Sequence, residues 1–426
     1  MKKTTLLIFF CLLLQNLGAD EVSGEAKIIH VLSDRANKYA PQDGSAYLLK
    51  LKYEADIRED TKLGIGAYQN GDTGLTDWSG KTNAMGLFSD AKGKSKAVFG
   101  ELYLRYNRED IHVNVGRMLL DTPLTKINTT LTPNFYEALY LDYKINEQTH
   151  VKAGHINAIS IGSQGATDWA LVGEKTKTAG TAMPMRSQSP SGLEQSKFLN
   201  IGEVSAGKDS DGITYLGFEH KYSDTLSYKI WDYMAYDYTN TLYADLSYKA
   251  ASYNKKELLI DVQILAQNKT GANYAQIQNS FLMGGVEVTL KENKKFISLA
   301  LNRSNDAQFF NAWGSDVAYT SSIFSRNAYR KEVLASKATI GYDITNSVYI
   351  KASAALYSKS KTLGWGGLQG DNSAFESDII ISYMPTKKLT LKLLSFVKIS
   401  EYDGVASGEY AEKKMNNISM LASYIF

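Results

Sequence analysis

Apolar and polar positions alternate with a period of two in segment after segment of this 426-residue chain. In Tyr47–Ile57 one face carries Tyr47, Leu49, Leu51, Tyr53, Ala55 and Ile57, and the other carries Leu48, Lys50, Lys52, Glu54 and Asp56. The last stretch repeats the pattern: Ile418, Met420, Ala422, Tyr424 and Phe426 form an apolar face, with mostly polar or small residues between them. Successive side chains of a strand point to opposite faces, so each such segment predicts a strand with one lipid-like side. The alternation predicts 18 strands, near 25–33, 45–57, 62–70, 97–107, 110–118, 136–145, 149–159, 212–222, 225–236, 239–251, 257–267, 280–291, 295–304, 334–343, 348–358, 374–384, 389–398 and 415–426.

The connections alternate between short and long. Short ones fall at 58–61, 108–109, 146–148, 223–224, 252–256, 292–294, 344–347 and 385–388. Longer ones fall near 34–44, 71–96, 119–135, 160–211, 268–279, 305–333, 359–373 and 399–414, with 237–238 the one short exception. Tight turns on one rim and long loops on the other are the mark of a transmembrane barrel with both termini on the short-turn side. Proline cannot donate to a sheet ladder, and all six prolines, at 41, 123, 133, 184, 190 and 385, fall in predicted connections. A terminal strand ending on an aromatic needs a partner, and pairing with the first strand closes the barrel. The fold class is therefore all-β, a transmembrane antiparallel barrel forming one domain over residues 20–426.

Residues 1–19 read as a cleaved secretory signal peptide: Lys2 and Lys3 precede the apolar run Leu6–Leu14, and the cut falls before Asp20. That run is too short to cross a bilayer as a helix, and no later one approaches about 20 residues. Without Lys2 and Lys3 the chain carries 45 basic and 45 acidic residues. No basic excess points to nucleic acid. The only cysteine, Cys11, lies in the leader, which excludes disulfides and cysteine metal sites from the exported chain. The 28 tyrosines suit strands and membrane boundaries.

Two stretches resemble a known family. Gly116-Arg117-Met118-Leu119-Leu120-Asp121-Thr122-Pro123-Leu124, followed by Thr132-Pro133-Asn134, is similar to the third-loop region of OprD-family outer-membrane porins, particularly those of Campylobacterota. Phe309-Phe310-Asn311-Ala312-Trp313-Gly314-Ser315-Asp316 resembles that family's seventh-loop region, with fewer glycines. The resemblance implies an 18-stranded barrel with the third loop folded into the lumen, passive uptake of small polar solutes and no cofactor. In the family, arginine rows guide carboxylate-bearing solutes; here such a row is not evident beyond Arg105 and Arg117. It also implies outer-membrane lipid and the barrel assembly machinery as partners, with Tyr424 and Phe426 as the assembly signal. Monomer and homotrimer both stay open.

Pro123 and Pro133 restrict a 17-residue connection, as a loop that sets an aperture requires. The expected constriction set is Arg117, Asp121, Thr122, Pro123, Pro133, Trp313 and Asp316. Charge on the lipid face costs about 2–4 kcal/mol at mid-membrane for Lys or Arg, so strand charges are expected to line the pore. These are Lys50, Lys52, Arg105, Lys152, Lys249, Lys337, Lys351 and Lys392 among the bases, and Glu54, Asp56, Glu101, Asp245, Asp261, Glu287, Glu376 and Asp378 among the acids. No histidine among His30, His112, His150, His155 and His220 has a nucleophile setting or a metal partner. Lys208-Asp209-Ser210-Asp211-Gly212 lacks the later ligands of a calcium loop. No metal is expected, and not an enzyme. The alternatives are a structural or adhesive barrel with a plugged lumen, and a barrel lipid hydrolase.

Overall fold

The computed structural model describes residues 21–35, 42–75, 95–125, 131–160, 162, 197–202, 209–253, 256–271, 280–307, 309, 316–325, 327, 330–363, 369–402 and 412–426. The expected leader, Trp313, and the prolines at 41, 184 and 190 lie outside them. The strands are β1 (Glu21–Arg35), β2 (Gln42–Arg58), β3 (Thr61–Asp72), β4 (Lys96–Arg108), β5 (Ile111–Met118), β6 (Phe135–Asn146), β7 (Thr149–Ser160), β8 (Leu199–Asn200), β9 (Ile213–Lys221) and β10 (Leu226–Ala235). They continue with β11 (Thr239–Tyr253), β12 (Lys256–Lys269), β13 (Phe281–Glu292), β14 (Lys295–Ser304), β15 (Leu334–Asp343), β16 (Val348–Leu363), β17 (Gln369–Tyr383), β18 (Leu389–Tyr402) and β19 (Glu412–Ile425). β8 is a two-residue piece against the end of β7. The other eighteen form one antiparallel sheet in which each pairs with its neighbours in sequence, β7 passing directly to β9.

The sheet closes on itself. β1 pairs with β2 on one side and with β19 on the other, from Glu25 opposite Ile425 to Arg35 opposite Met415. The seam is finished by reciprocal backbone bonds between Gly24 and Phe426, at 2.9 and 3.0 Å. Closure leaves no edge strand whose backbone groups lack partners, the condition for strands to stand in hydrocarbon. A side chain at position 24 would meet the ring of Phe426, which needs the bare glycine to lie flat on the wall.

The period-two pattern turns into two surfaces. On β14, Ile297, Leu299 and Leu301 are exposed, while Ser298, Ala300 and Asn302 between them are buried. Exposed Leu290, Ile340, Ile379, Ile418 and Met420 continue the outward apolar surface. Tight turns join strands at one rim: Glu109 and Asn293 take φ of 44° and 50°, the left-handed conformation that two-residue hairpin turns require. The structure departs from the sequence reading at the opposite rim. β16 and β17 run to Leu363 and from Gln369, beyond the expected 358 and 374, because the hairpin ladder continues past the apolar band, where alternation no longer marks it.

Candidate functional site

The interior is filled from two connections. The third, between β5 and β6, turns into the lumen. Leu124 and Leu131 are fully buried and Leu120 is 2% exposed. Leu131 packs with Ile29, Val31, Ala46, Leu48 and Tyr68 of β1–β3, while Leu120 and Leu124 belong to a cluster with Tyr215, Trp231, Tyr233 and Tyr243 of β9–β11. Polar bonds tie down both ends. Asn70 of β3 donates to Thr132 Oγ1 at 2.7 Å, and Tyr233 of β10 donates to Thr122 Oγ1 at 2.9 Å. Within the loop, Thr122 and Thr125 hydroxyls lie 2.6 Å apart, Thr125 donates to Leu120 O, and Tyr136 donates to Thr125 O.

The seventh connection, between β14 and β15, also enters the lumen. Tyr319 donates to Asp245 of β11 at 2.7 Å, and Thr320 N donates to Asn302 Oδ1 at 3.0 Å. Burial and then the bond to Asp245 push the Tyr319 phenol well above the ordinary tyrosine range, so it stays a neutral donor. Gln263, with its amide oriented to satisfy both ends, donates to Val317 O and accepts from Tyr319 N. Phe309 and Ala318 of this connection share one apolar cluster with Leu120 and Leu124 of the third.

Of the expected constriction residues, Asp121 is exposed, Thr122 and Pro133 are buried and Pro123 is half-buried. Asp316 does not present a free carboxylate: it accepts from Ala318 N, Ser321 Oγ and Asn327 N, bracing its own loop. Arg117 lies one residue before the end of β5. It stands opposite Leu102, whose side chain is exposed on the outward face, and its guanidinium is held by Glu137 at 2.8 Å and stacked on Phe198. Gly116, just before it, takes a φ of +126°, and a side chain there would meet the Leu102 backbone.

Most of the charges expected to line the pore have partners in the structure. On β2–β4 they are interlocked: Lys50 and Lys52 lie 3.7 and 3.4 Å from Glu101, Lys52 lies 3.5 Å from Glu54, and Arg105 lies 3.1 Å from Glu54. Tyr68 donates to Glu101, and Tyr103 to Glu54 at 2.5 Å. Asp56 pairs with Lys62 at the rim, and Lys152 with Glu219. Lys351 and Lys392 differ, since neither has an ion pair among the described residues. Lys351 and Lys27 are the cations facing Lys392. Across the barrel, Asp245, Asp261 and Glu287 stand on β11–β13. The described residues hold no group of three or more His, Cys, Asp or Glu placed to bind a metal.

A closed 18-strand antiparallel barrel is the fold shared with OprD/Occ-type outer-membrane channels. No protein-family model and no curated protein matches the chain. Solved structures do. The outer-membrane protein OpdK of Pseudomonas aeruginosa aligns with a TM-score of 0.72 at 12% identity, over 96% of this chain and 99% of its own. OccK9 (OpdG) of the same organism gives 0.71 at 15% identity over 96% and 99%. OccAB3 of Acinetobacter baumannii gives 0.70 at 12% over 95% and 100%. OpdK has also been solved with vanillate, at a TM-score of 0.71 and 13% identity to this chain. The chain thus has the fold of these channels at low sequence identity.

Proposed function

We propose that the protein is an outer-membrane channel of the OprD type, passing small polar solutes down their gradient and favouring those that carry a carboxylate. The lineage suggested by the third-loop motif, export through the leader 1–19 and residence in the bacterial outer membrane belong to the same proposal. The observation that carries it is the uneven charge of a narrowed lumen. The β16–β2 side carries Lys351 and Lys392 without ion pairs among the described residues, and Lys27 beside them pairs with Glu25 at 3.1 Å. The β11–β13 side carries Asp261 and Glu287, Asp245 at 3.6 Å from Lys229, and Lys249 paired with Glu257. Fixed charges that line a pore bias which ions pass, and in a space narrower than a Debye length of about 8 Å they are poorly screened. OpdK, solved with vanillate, offers a precedent for a carboxylate-bearing solute in this fold.

The test is single-channel recording in a planar bilayer under a salt gradient. The reading expects discrete conductance, and a reversal potential that moves toward cation preference in Lys351→Gln/Lys392→Gln. Folded barrel without conductance would sink the channel. An unmoved reversal potential would sink the role of the lysines.

A further inference from the structure

The inner face of β17 carries two carboxylates that no solute reaches. Glu376 is fully buried and Asp378 is 4% exposed. Both face the seventh connection. Phe324 N donates to Glu376 Oε1 at 2.7 Å and Ser325 N to Glu376 Oε2 at 2.6 Å. Ile323 N donates to Asp378 Oδ2 at 3.3 Å, and Ser353 Oγ donates to the same oxygen at 3.1 Å. Three successive loop amides therefore rest on two carboxyl groups. Tyr357 closes the arrangement from β16 by donating to Thr320 O and Ser325 O. The loop's other flank is held by Lys337, whose ammonium donates to Ser321 O at 2.5 Å. Lys398, opposite Glu376 in the ladder, lies over the Phe324 ring, and Arg330 over the Tyr357 ring.

Burying a carboxylate is costly unless it is paired or fully hydrogen-bonded. A serine or an apolar residue would complete this wall at lower cost, as Ser353 and Ala355 do on the neighbouring strand. A carboxyl group that accepts two backbone N–H bonds, one on each oxygen, fixes the direction of the chain that donates them. We propose that Glu376, seconded by Asp378, is the latch that holds residues 323–325 of the seventh connection against the β15–β18 wall. In doing so it sets one jaw of the aperture. Glu376 is a positioning residue for passage through the pore: it touches the loop, and the loop bounds the path.

This inference rests on the channel reading for its effect on passage, but the latch itself is measurable without any conductance. Thr320 is fully buried and its hydroxyl makes no hydrogen bond in the structure, so Thr320→Cys places a thiol at the hidden face of the loop. Cys11→Ser removes the only other cysteine. Labelling of the folded protein in detergent or vesicles by a maleimide reports how often the loop leaves the wall. Glu376→Gln turns an amide N–H₂ toward one of the loop donors, and leaving that buried donor unpaired raises labelling about tenfold or more. Asp378→Asn is expected to label like the parent, since its oxygen still accepts from Ile323 N and its amide can donate to Glu376. Ser325→Pro removes one donor from the loop side without touching a strand, and is expected to label like Glu376→Gln. It stands in for that variant if Glu376→Gln fails to give a heat-modifiable barrel. Equal labelling of the parent and of whichever of these two folds would overturn the latch. In bilayers, the fast-labelling variants are expected to show larger or flickering single-channel currents. Fast labelling with no current even from the parent would leave the latch standing and remove the channel reading. Fast labelling with parent-like currents would confine the latch to the loop and remove its role as a jaw.

Discussion

Two kinds of contact hold the third connection inside the barrel, and their sizes predict which one matters. The polar ties are Asn70 to Thr132 and Tyr233 to Thr122. A typical intramolecular hydrogen bond contributes about 0.5–1.5 kcal/mol net, so the two together contribute about 1–3 kcal/mol. The apolar contacts are Leu120, Leu124 and Leu131, each essentially fully buried. At about 1.5–3 kcal/mol per buried leucine they contribute about 5–9 kcal/mol. Cutting both ties with Asn70→Ala and Tyr233→Phe leaves at least about 5 kcal/mol, which keeps the displaced loop below about one molecule in a thousand. Conductance of that double variant is therefore expected to stay within scatter of the parent. Leu124→Asp/Leu131→Asp removes about 3–6 kcal/mol of burial and adds the cost of hiding two carboxylates, several kcal/mol more. The loop is then expected to leave the lumen, and single-channel conductance to rise severalfold, because neither leucine belongs to a strand and the barrel ladder is untouched. The assay is bilayer recording on protein whose folding is first checked by heat-modifiable mobility. If cutting the polar ties opened the pore as far as the aspartates did, the ranking of apolar burial over hydrogen bonding would be refuted.

Other outcomes follow from the wall. Leu299 is 63% exposed in the middle of β14; Leu299→Arg is expected to destabilise the barrel by about 2–4 kcal/mol in urea titrations from lipid vesicles, whereas the same change at Ile297, nearer the rim, costs less. A flat profile along the strand would contradict the outward assignment. Deleting Phe426 removes a pair of seam bonds to Gly24 and the ring that stacks on Tyr424, so less heat-modifiable barrel should reach the membrane fraction; normal levels would show the seam closes without it. Deleting residues 122–132 is expected to raise conductance as the aspartate pair does, and an unchanged current from folded protein would place the constriction at the seventh connection instead. Arg117→Ala is expected to leave selectivity nearly unchanged, given its pairing with Glu137, and a clear shift in reversal potential would return Arg117 to the aperture.

The wall was legible because a strand with one apolar outer face and one polar inner face has no freedom in its phase. Each outward position must be apolar over the whole band, so β14 and β15 are found at 295–304 and 334–343 by alternation alone. The signal fades where the apolar band ends, which is why the upper parts of β16 to β18 extend past their expected limits and why β8, two residues long, gives no periodic trace. The site was legible only in part. Prolines 123 and 133 mark a stiff third connection, but nothing in the local sequence names its partners: Asn70 and Tyr233 lie 62 and 111 residues from the threonines they bind. Glu376 and Asp378 could be placed on the inner face by parity, yet parity says nothing about a loop folding down onto them. For Arg117, alternation with Val113 and Val115 and its place where the third connection begins point to different surroundings, and neither names Glu137 or Phe198, the groups it touches.

The two inward connections reach different parts of the wall. The third is fixed to β3 and β10, six strands apart in the eighteen-strand order, and the seventh reaches from Asp245 on β11 to Glu376 on β17, again six apart. A hollow cylinder of hydrogen-bonded strands yields most easily by flattening into an ellipse, because that bends every ladder slightly and breaks none. Chords anchored at both ends act as spokes against that mode: flattening along either one must stretch or buckle a packed segment. Any lateral load on the wall then meets a stiff rim, and the open cross-section is governed by the loops' own packing.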